Sequence, residues 1–491
     1  MPHRSRVKGA DALLLGAAVT FWPLSVIASN LVGIPHAERL VFLILAALVL
    51  TVLLTSALVG IGVRRTVAVR SVSIGTIVAM TWGRLYPDFD RALVWTSALL
   101  IVAGAAYLFS RFDESGLVPP LVVALAVALL AGPLLSLLEK MSSWGVDETS
   151  PTPSLTVDMI ETPDILLVVL DGYPGLITME RDFGEDKTGL IQSLGDRGFD
   201  VIVSMWSSYP TTSHSVPSLL EMNYPIETNP SGEATEQALY DIVAGGNQLV
   251  GLLEGAGYDT YMVESGWSGA TCGSAFDHCV ASPLNDEAMF ITLQNTLAAP
   301  IVTASHPFTI GSVNTMKWLI ENIQALEDDA EPSFVFAHLL APHPPFFLDD
   351  RCNRVVDANR ETPFVTSRTK GYFLEQVACV DSFMVRLSEV AGPDTVVVFV
   401  SDHGTASRHQ LNTPGDLWSR DDLTERMNVL TAVRLDNDCT IGDGLVTPNL
   451  MRRVLSCYTT RPIPELRSRM FKVGLVEVPE TEVEELLTSM P

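Results

Sequence analysis

Five long apolar runs fill most of the first 140 residues, and no other feature constrains the fold of this chain as strongly. They lie at about 12–33 (ALLLGAAVTFWPLSVIASNLVG), 40–63 (LVFLILAALVLTVLLTSALVGIGV), 70–86, 92–110 and 117–138. A helix needs about 20 apolar residues to cross a hydrocarbon core roughly 30 Å thick. The runs therefore predict a bundle of about five transmembrane helices over residues 1–140. The third is the weakest, because Arg70 and Arg84 limit it and Ser and Thr dilute it. Core helices of a soluble protein are the alternative, but several long uncharged runs in succession are rare there.

Charge divides the chain at the same point. Residues 1–140 carry a net charge of +4 and the remainder −30, within a total of −26. So acidic a second part excludes nucleic acid as a partner, because binding it requires a basic surface. Arg4, Arg6 and Lys8 precede the first run, Arg64, Arg65 and Arg70 follow the second, and Arg111 follows the fourth. With five spans these loops share one face, which the positive-inside rule makes cytoplasmic. Everything after about residue 140 then lies outside the cell membrane; four spans would leave it in the cytoplasm. All six cysteines (Cys272, Cys279, Cys352, Cys379, Cys439, Cys457) fall in the second part. An even set confined to one region suits disulfides in an oxidising compartment. Pairing of neighbours is one of fifteen connectivities. No CxxC occurs, which argues against a cysteine-held zinc.

Residues 141–163 are polar with three prolines and read as a linker. Beyond them strands and helices alternate. DILLVVLD, FDVIVSMW, YDTYMVE, SFVFAHL, TVVVFVSD and NVLTAVRL read as strands; stretches near 185–197, 246–256, 285–298, 311–328 and 367–391 read as helices. The alternation predicts an α/β domain over 164–491, with a mostly parallel central sheet flanked by helices. In such sheets functional groups gather at the carboxyl ends of the strands. Three strands end suggestively: LLVVLDG at Asp171, SFVFAHLLAPH at His338 and His343, and VVVFVSDHG at Asp402 and His403. Two carboxylates and up to three imidazoles on one sheet edge form an oxygen-and-nitrogen set for a divalent cation such as Mn or Zn. The segment SSYPTTSHSVPSLL (207–220) places several hydroxyls between a strand and an apolar helix. Helix capping accounts for one or two of them. A metal-activated nucleophile at the helix start accounts for the cluster better.

Taken together, Asp171 after an apolar strand, the hydroxyl-rich run into PSLL, the HxxxxHPPF element and the late SDHG resemble the sulfatase-like branch of the alkaline-phosphatase superfamily. The likeness is to membrane-anchored lipoteichoic acid synthases and phosphoethanolamine transferases, and it covers about residues 163–435. It implies that Asp171, Asp402 and His403 are metal ligands, together with Thr212 as nucleophile and ligand. Thr212 lies ten positions before Met222, which stands where sulfatases have the glycine ending an SLLTG-like segment. His343 falls at a substrate-binding histidine, and His338 and His409 are further candidates. One tightly held ion is expected and a second is allowed. Departures from sulfatases proper matter too. Thr212 replaces the cysteine or serine that becomes formylglycine, and Val216 stands in place of an arginine. The expectation is a phosphodiester or phosphoryl-group transferase working through a covalent threonine intermediate. Its partners would be the lipid bilayer and a lipid-linked or cell-envelope substrate. The alternatives are a hydrolase of phosphate or sulfuric esters on the same scaffold, or a catalytically silent membrane-tethered binding protein.

Overall fold

The computed structural model describes the chain apart from residues 1, 30–36, 83–90, 113–117, 143–154, 156, 226–235, 268, 281–292, 294–295, 298–306, 328–329, 356–364, 409, 437–438 and 489–491. The chain divides into two compact units: Met1–Val146 with Asp286–His306, and Asp147–Asn285 with Pro307–Pro491.

The first unit holds, among the described residues, five helices: α1 (Pro2–Ser29), α2 (Ala37–Gly60), α3 (Arg65–Thr81), α4 (Arg91–Phe112) and α5 (Val118–Ser142). Among the described residues, one helix, Ala92–Phe112, is both long and apolar enough to cross a membrane; Ala10–Phe21, Ile44–Gly60 and Pro120–Leu135 are shorter apolar segments. Large apolar side chains face outward, and the buried positions mix apolar residues such as Leu14 and Val122 with small and polar ones. Leu53, Leu99, Leu100, Leu121 and Leu135 are each more than half exposed, whereas Ala17, Ala18, Ala126, Ser73 and Arg70 are buried. Small residues of α1 and α5 (Ala10, Ala17, Ala126) let those helices approach closely. Contrary to the sequence reading, Arg70 does not limit the third run at its start. It lies inside α3, fully buried, with Nε 2.7 Å from Asp11 Oδ1 on α1. Pairing makes an ionic side chain tolerable in an apolar bundle. Segment 286–306 joins this unit rather than the second, and Leu297 donates its backbone N–H to Ala79 O of α3 at 2.7 Å. The helix expected near 285–298 lies largely outside the described residues.

The second unit is built on a seven-stranded sheet. Its strands are β1 (Ile165–Leu170), β2 (Phe199–Ile202), β4 (Asp259–Val263), β5 (His278–Val280), β6 (Ser333–Leu339), β7 (Val396–Ser401) and β8 (Thr431–Arg434). The order is β2-β8-β7-β1-β6-β4-β5, and β8 alone runs antiparallel to its neighbours. β1, β6 and β7 are buried along their whole length, as expected where helices cover both faces of a parallel sheet. Two apolar cores result, one on each face.

FDVIVSMW does not stay one strand. After Ile202 the Asp443 carboxylate accepts the N–H groups of Val203 and Ser204 (both 2.9 Å). Met205–Trp206 (β3) then leave the main sheet to pair with Leu445–Val446 (β9). This break aims the following loop, 207–211, at the carboxyl edge of the sheet. The three disulfides join Cys272 to Cys279, Cys352 to Cys379, and Cys439 to Cys457, and no cysteine is free.

Candidate metal centre

β1 lies between β6 and β7, so the residues that follow β1 and β7 leave the sheet side by side, about one strand spacing apart. Asp171 follows β1, and Asp402 and His403 follow β7. One ligand atom from each of the three lies within 4.8 Å of the others, and all three residues are buried. Backbone groups fix their orientation. Asp402 Oδ1 accepts the N–H of Gly172 at 3.0 Å and of His403 at 2.8 Å. Gly172 has φ +73°, a conformation in which glycine carries no Cβ penalty. Ser401 Oγ donates to His403 O and accepts from Tyr173 N–H, which ties the SDHG turn to the DGY turn.

His403 Nδ1 lies 3.0 Å from Gly404 O, so Nδ1 carries the proton and Nε2 presents a lone pair. That Nε2 sits 3.3 Å from Asp402 Oδ2, 3.6 Å from Asp171 Oδ1 and 3.0 Å from Thr212 Oγ1, whose hydroxyl donates to it. Asp171 Oδ1 and Asp402 Oδ2 are buried without a hydrogen-bond partner, as is His338 Nε2, 3.7 Å from Asp171 Oδ2. Lone pairs thus converge where no donor except the threonine hydroxyl meets them. Orphaned acceptors in a buried pocket are costly unless a cation joins them, and carboxylate, imidazole and hydroxyl suit Zn or Mn. The residues fit a divalent ion.

The electrostatics agree. Burial first, offset by Arg426, pushes Asp171 up to about 7. Asp402 also rises to about 7, through burial and then the Asp171 charge. Burial holds His403 well below the ordinary imidazole value, and burial with His343 nearby brings His338 down to about 3.

Thr212 opens the helix Thr212–Leu220. The preceding Thr211 is its N-cap residue but makes no capping hydrogen bond with its side chain. Ser215 is committed to structure, donating to Asp402 O at 2.6 Å beside Ser207 Oγ. Ser213 and Thr211 surround His214 Nδ1, so His214 faces its own loop, against Tyr209. Met222 takes φ +50°, the left-handed conformation that glycine favours, at the very position matched to a glycine. Val216 is 1% exposed and packed in the apolar core. The position of the sulfatase arginine therefore faces away from the centre.

The remaining candidates separate. His343 lines a small pocket of about 40 Å³ with Gly172, Gly404 and Arg426, and its ring centre is 6.3 Å from that of His403. His338 is fully buried within β6 beside Ser265 and Trp267. His409 lies outside the described residues. His278 pairs with Asp259 at 3.0 Å on the surface, and Trp206, Phe346 and Phe347 are core residues.

Two charged residues of the helix Arg420–Met427 escape the sequence reading. Arg426 donates Nε to Pro210 O (2.7 Å) and Nη1 to Gly404 O (2.6 Å). Glu425, fully buried, accepts from Thr405 Oγ1, Ser407 N–H and Gln410 Nε2. A glutamate absent from the SDHGTASRH segment itself thus reaches that loop from a distant stretch. No signal in the sequence announces this, because it depends on the direction of the strand that follows. Because β8 is antiparallel, the residues before it arrive at the edge where the parallel strands end.

Residues 184–425 match the sulfatase family model. No curated protein matches the chain. Among solved structures, the chain is similar to the C-terminal periplasmic domain of EptC from Escherichia coli in complex with Zn, at 12% identity. There 67% of this chain and 96% of that one are covered, with TM-score 0.42. The corresponding domain of the phosphoethanolamine transferase EptC from Campylobacter jejuni gives 14% identity, 68% and 98% coverage, and TM-score 0.40. The putative sulfatase yidJ from Bacteroides fragilis gives 16% identity, 70% and 80% coverage, and TM-score 0.41.

Proposed function

We propose that the chain, whose residues 184–425 match the sulfatase family model, is a metal-dependent phosphodiester or phosphoryl-group transferase using Thr212 as nucleophile. The observation that carries this reading is the 3.0 Å approach of Thr212 Oγ1 to His403 Nε2 within the carboxylate cluster. A divalent cation held by Asp171, Asp402, His403 and Thr212 supplies positive charge to the threonine oxygen and to the phosphoryl oxygens. The protein does the rest. The helix Thr212–Leu220 begins at the nucleophile, so its unpaired N–H groups favour an anionic ester. Thr212 gives up its proton to water, its Oγ bonds phosphorus, and the ester bond from phosphorus to the donor's remaining portion breaks. His343, in the adjoining pocket, protonates that leaving oxygen. An acceptor hydroxyl, or water, then bonds phosphorus and passes its proton to His343, and the released threonine oxygen regains a proton from water.

The large apolar side chains exposed on α2, α4 and α5 support a multi-pass membrane anchor. Three disulfides with no free cysteine support an extracytoplasmic second unit. A lipid-linked or envelope donor follows, because tethering raises its effective concentration at the site. The test is to incubate the full-length protein in vesicles containing headgroup-labelled phosphatidylethanolamine or phosphatidylglycerol. Label on the Thr212 peptide, with release of diacylglycerol, supports the reading. Turnover without any covalent label contradicts the threonine intermediate.

A further inference from the structure

Three buried arginines in the second unit bind backbone carbonyls, and one differs from the others. Arg434 donates to carbonyls of 388–395, and Arg452 to Met222 O and Pro464 O, so both hold loops away from the centre. Arg426 instead reaches the two loops that carry the centre's own residues. Pro210 O, its Nε acceptor, lies two residues before Thr212. Gly404 O, its Nη1 acceptor, is also the acceptor of His403 Nδ1–H. One carbonyl therefore takes a hydrogen bond from the arginine and from the imidazole whose tautomer it sets. The backbone repeats the connection: Gly404 N–H donates to Arg426 O at 2.7 Å, and a Cβ at Gly404 would lie 2.1 Å from Glu425 O. The SDHG loop is pressed onto the helix that bears Arg426.

We infer that Arg426 is a positioning residue whose guanidinium clamps the Thr212 loop to the His403 loop and so sets how the hydroxyl meets the imidazole. The planar fork is what permits this, because two carbonyls on different loops are met by nitrogens in fixed relative geometry. Lysine offers charge without that fork. The inference rests on the phosphoryl-transfer reading for its kinetic consequence but not for its effect on the centre.

The test uses the full-length protein in detergent, with Arg426→Lys as the first variant. Binding of Mn²⁺ and Zn²⁺ is measured by calorimetry, and turnover with a generic aryl phosphodiester. The clamp predicts a folded variant binding one cation with Kd weakened about tenfold or more, as for lost outer support of a ligand. It also predicts kcat lowered about 100-fold, the scale of a 1 Å misplacement, with KM within about threefold. Wild-type Kd and kcat in that variant overturn the inference. Arg426→Ala is the second variant; the space it frees adjoins the pocket of Gly172 and His343, through which methylguanidinium can enter. Recovery of kcat on adding that cation supports the clamp, and a folded variant indifferent to it counts against it. Failure of both variants to fold assigns Arg426 a purely structural part and overturns the inference as well. A wild-type protein inert to diesters, with Kd weakened in Arg426→Lys, sinks the transferase reading and leaves the clamp standing.

Discussion

Replacing Asp402 by Asn should stabilise the metal-free protein and abolish its response to metal. Asp402 Oδ1 accepts two backbone N–H groups, and an asparagine carbonyl can keep both. The asparagine Nδ2 then falls where Oδ2 now lies, 3.3 Å from His403 Nε2, whose one lone pair the Thr212 hydroxyl already occupies. One buried charge disappears, and with it the repulsion from Asp171. The ligand atoms of Asp171 and Asp402 lie within 4.8 Å of one another. At that separation two unit charges repel by about 3.5 kcal/mol for an effective dielectric of 20. Arg426 attracts Asp402 and offsets part of this, leaving a net gain of about 2 kcal/mol. The assay is thermal or denaturant unfolding of the full-length protein at pH 9, in EDTA and then in excess Zn²⁺ or Mn²⁺. In EDTA the variant should be the more stable. With cation at about 100 times Kd the wild type should gain about 2.7 kcal/mol and the variant nothing. A variant less stable than wild type in EDTA would show that Oδ2 has a favourable partner without metal, and the argument from orphaned acceptors would fail.

The same pair predicts a pH dependence. Asp402 is raised in the folded state to about 7, so its contribution is favourable at low pH and is lost as pH rises through that value. The stability advantage of Asp402→Asn in EDTA should therefore fall towards zero only near the ordinary carboxyl value of 3.8, grow from there to about pH 7 and be full at pH 9; equal differences at pH 3.8 and pH 9 would count against an ionised pair. Thr212→Ala should lower phosphodiester turnover by about 10³-fold or more while one cation still binds, and Thr212→Ser should keep measurable activity, both read by steady-state kinetics and metal analysis. Gly404→Ala forces a Cβ against Glu425 O and should cost about 1–3 kcal/mol in unfolding experiments, with weakened metal binding because His403 is displaced. Met222→Gly relieves a left-handed backbone but empties a buried site. A net loss of about 1–3 kcal/mol is expected, and a gain would mean that the Met222 side chain contributes little to packing.

Much of the centre was legible because parallel strands report their own ends. An apolar run closing on Asp171 or on Asp402 and His403 marks a carboxyl edge, and all such edges in a parallel sheet coincide. Thr212 was reachable only through register, and the positive φ of Met222 gives that register a physical reason. Arg426 and Glu425 were not legible, since they precede the one antiparallel strand and nothing in NVLTAVRL announces its direction. The split of FDVIVSMW was hidden for a similar reason: Asp443, which pins the break, is about 240 residues away. Arg70 was misread as a boundary because its partner, Asp11, lies 59 residues earlier, and sequence alone prices an unpaired charge. The disulfides followed the neighbour pairing that spacing suggested, one connectivity among fifteen.

The convergence of two acids, an imidazole and a hydroxyl on one cation is tested most directly by anomalous scattering from crystals grown with Zn²⁺, recorded on either side of the zinc absorption edge. The predicted result is one strong peak about 2.0–2.2 Å from oxygens of Asp171, Asp402 and Thr212 and from Nε2 of His403. A fully occupied zinc elsewhere, with these four side chains unliganded, would contradict it.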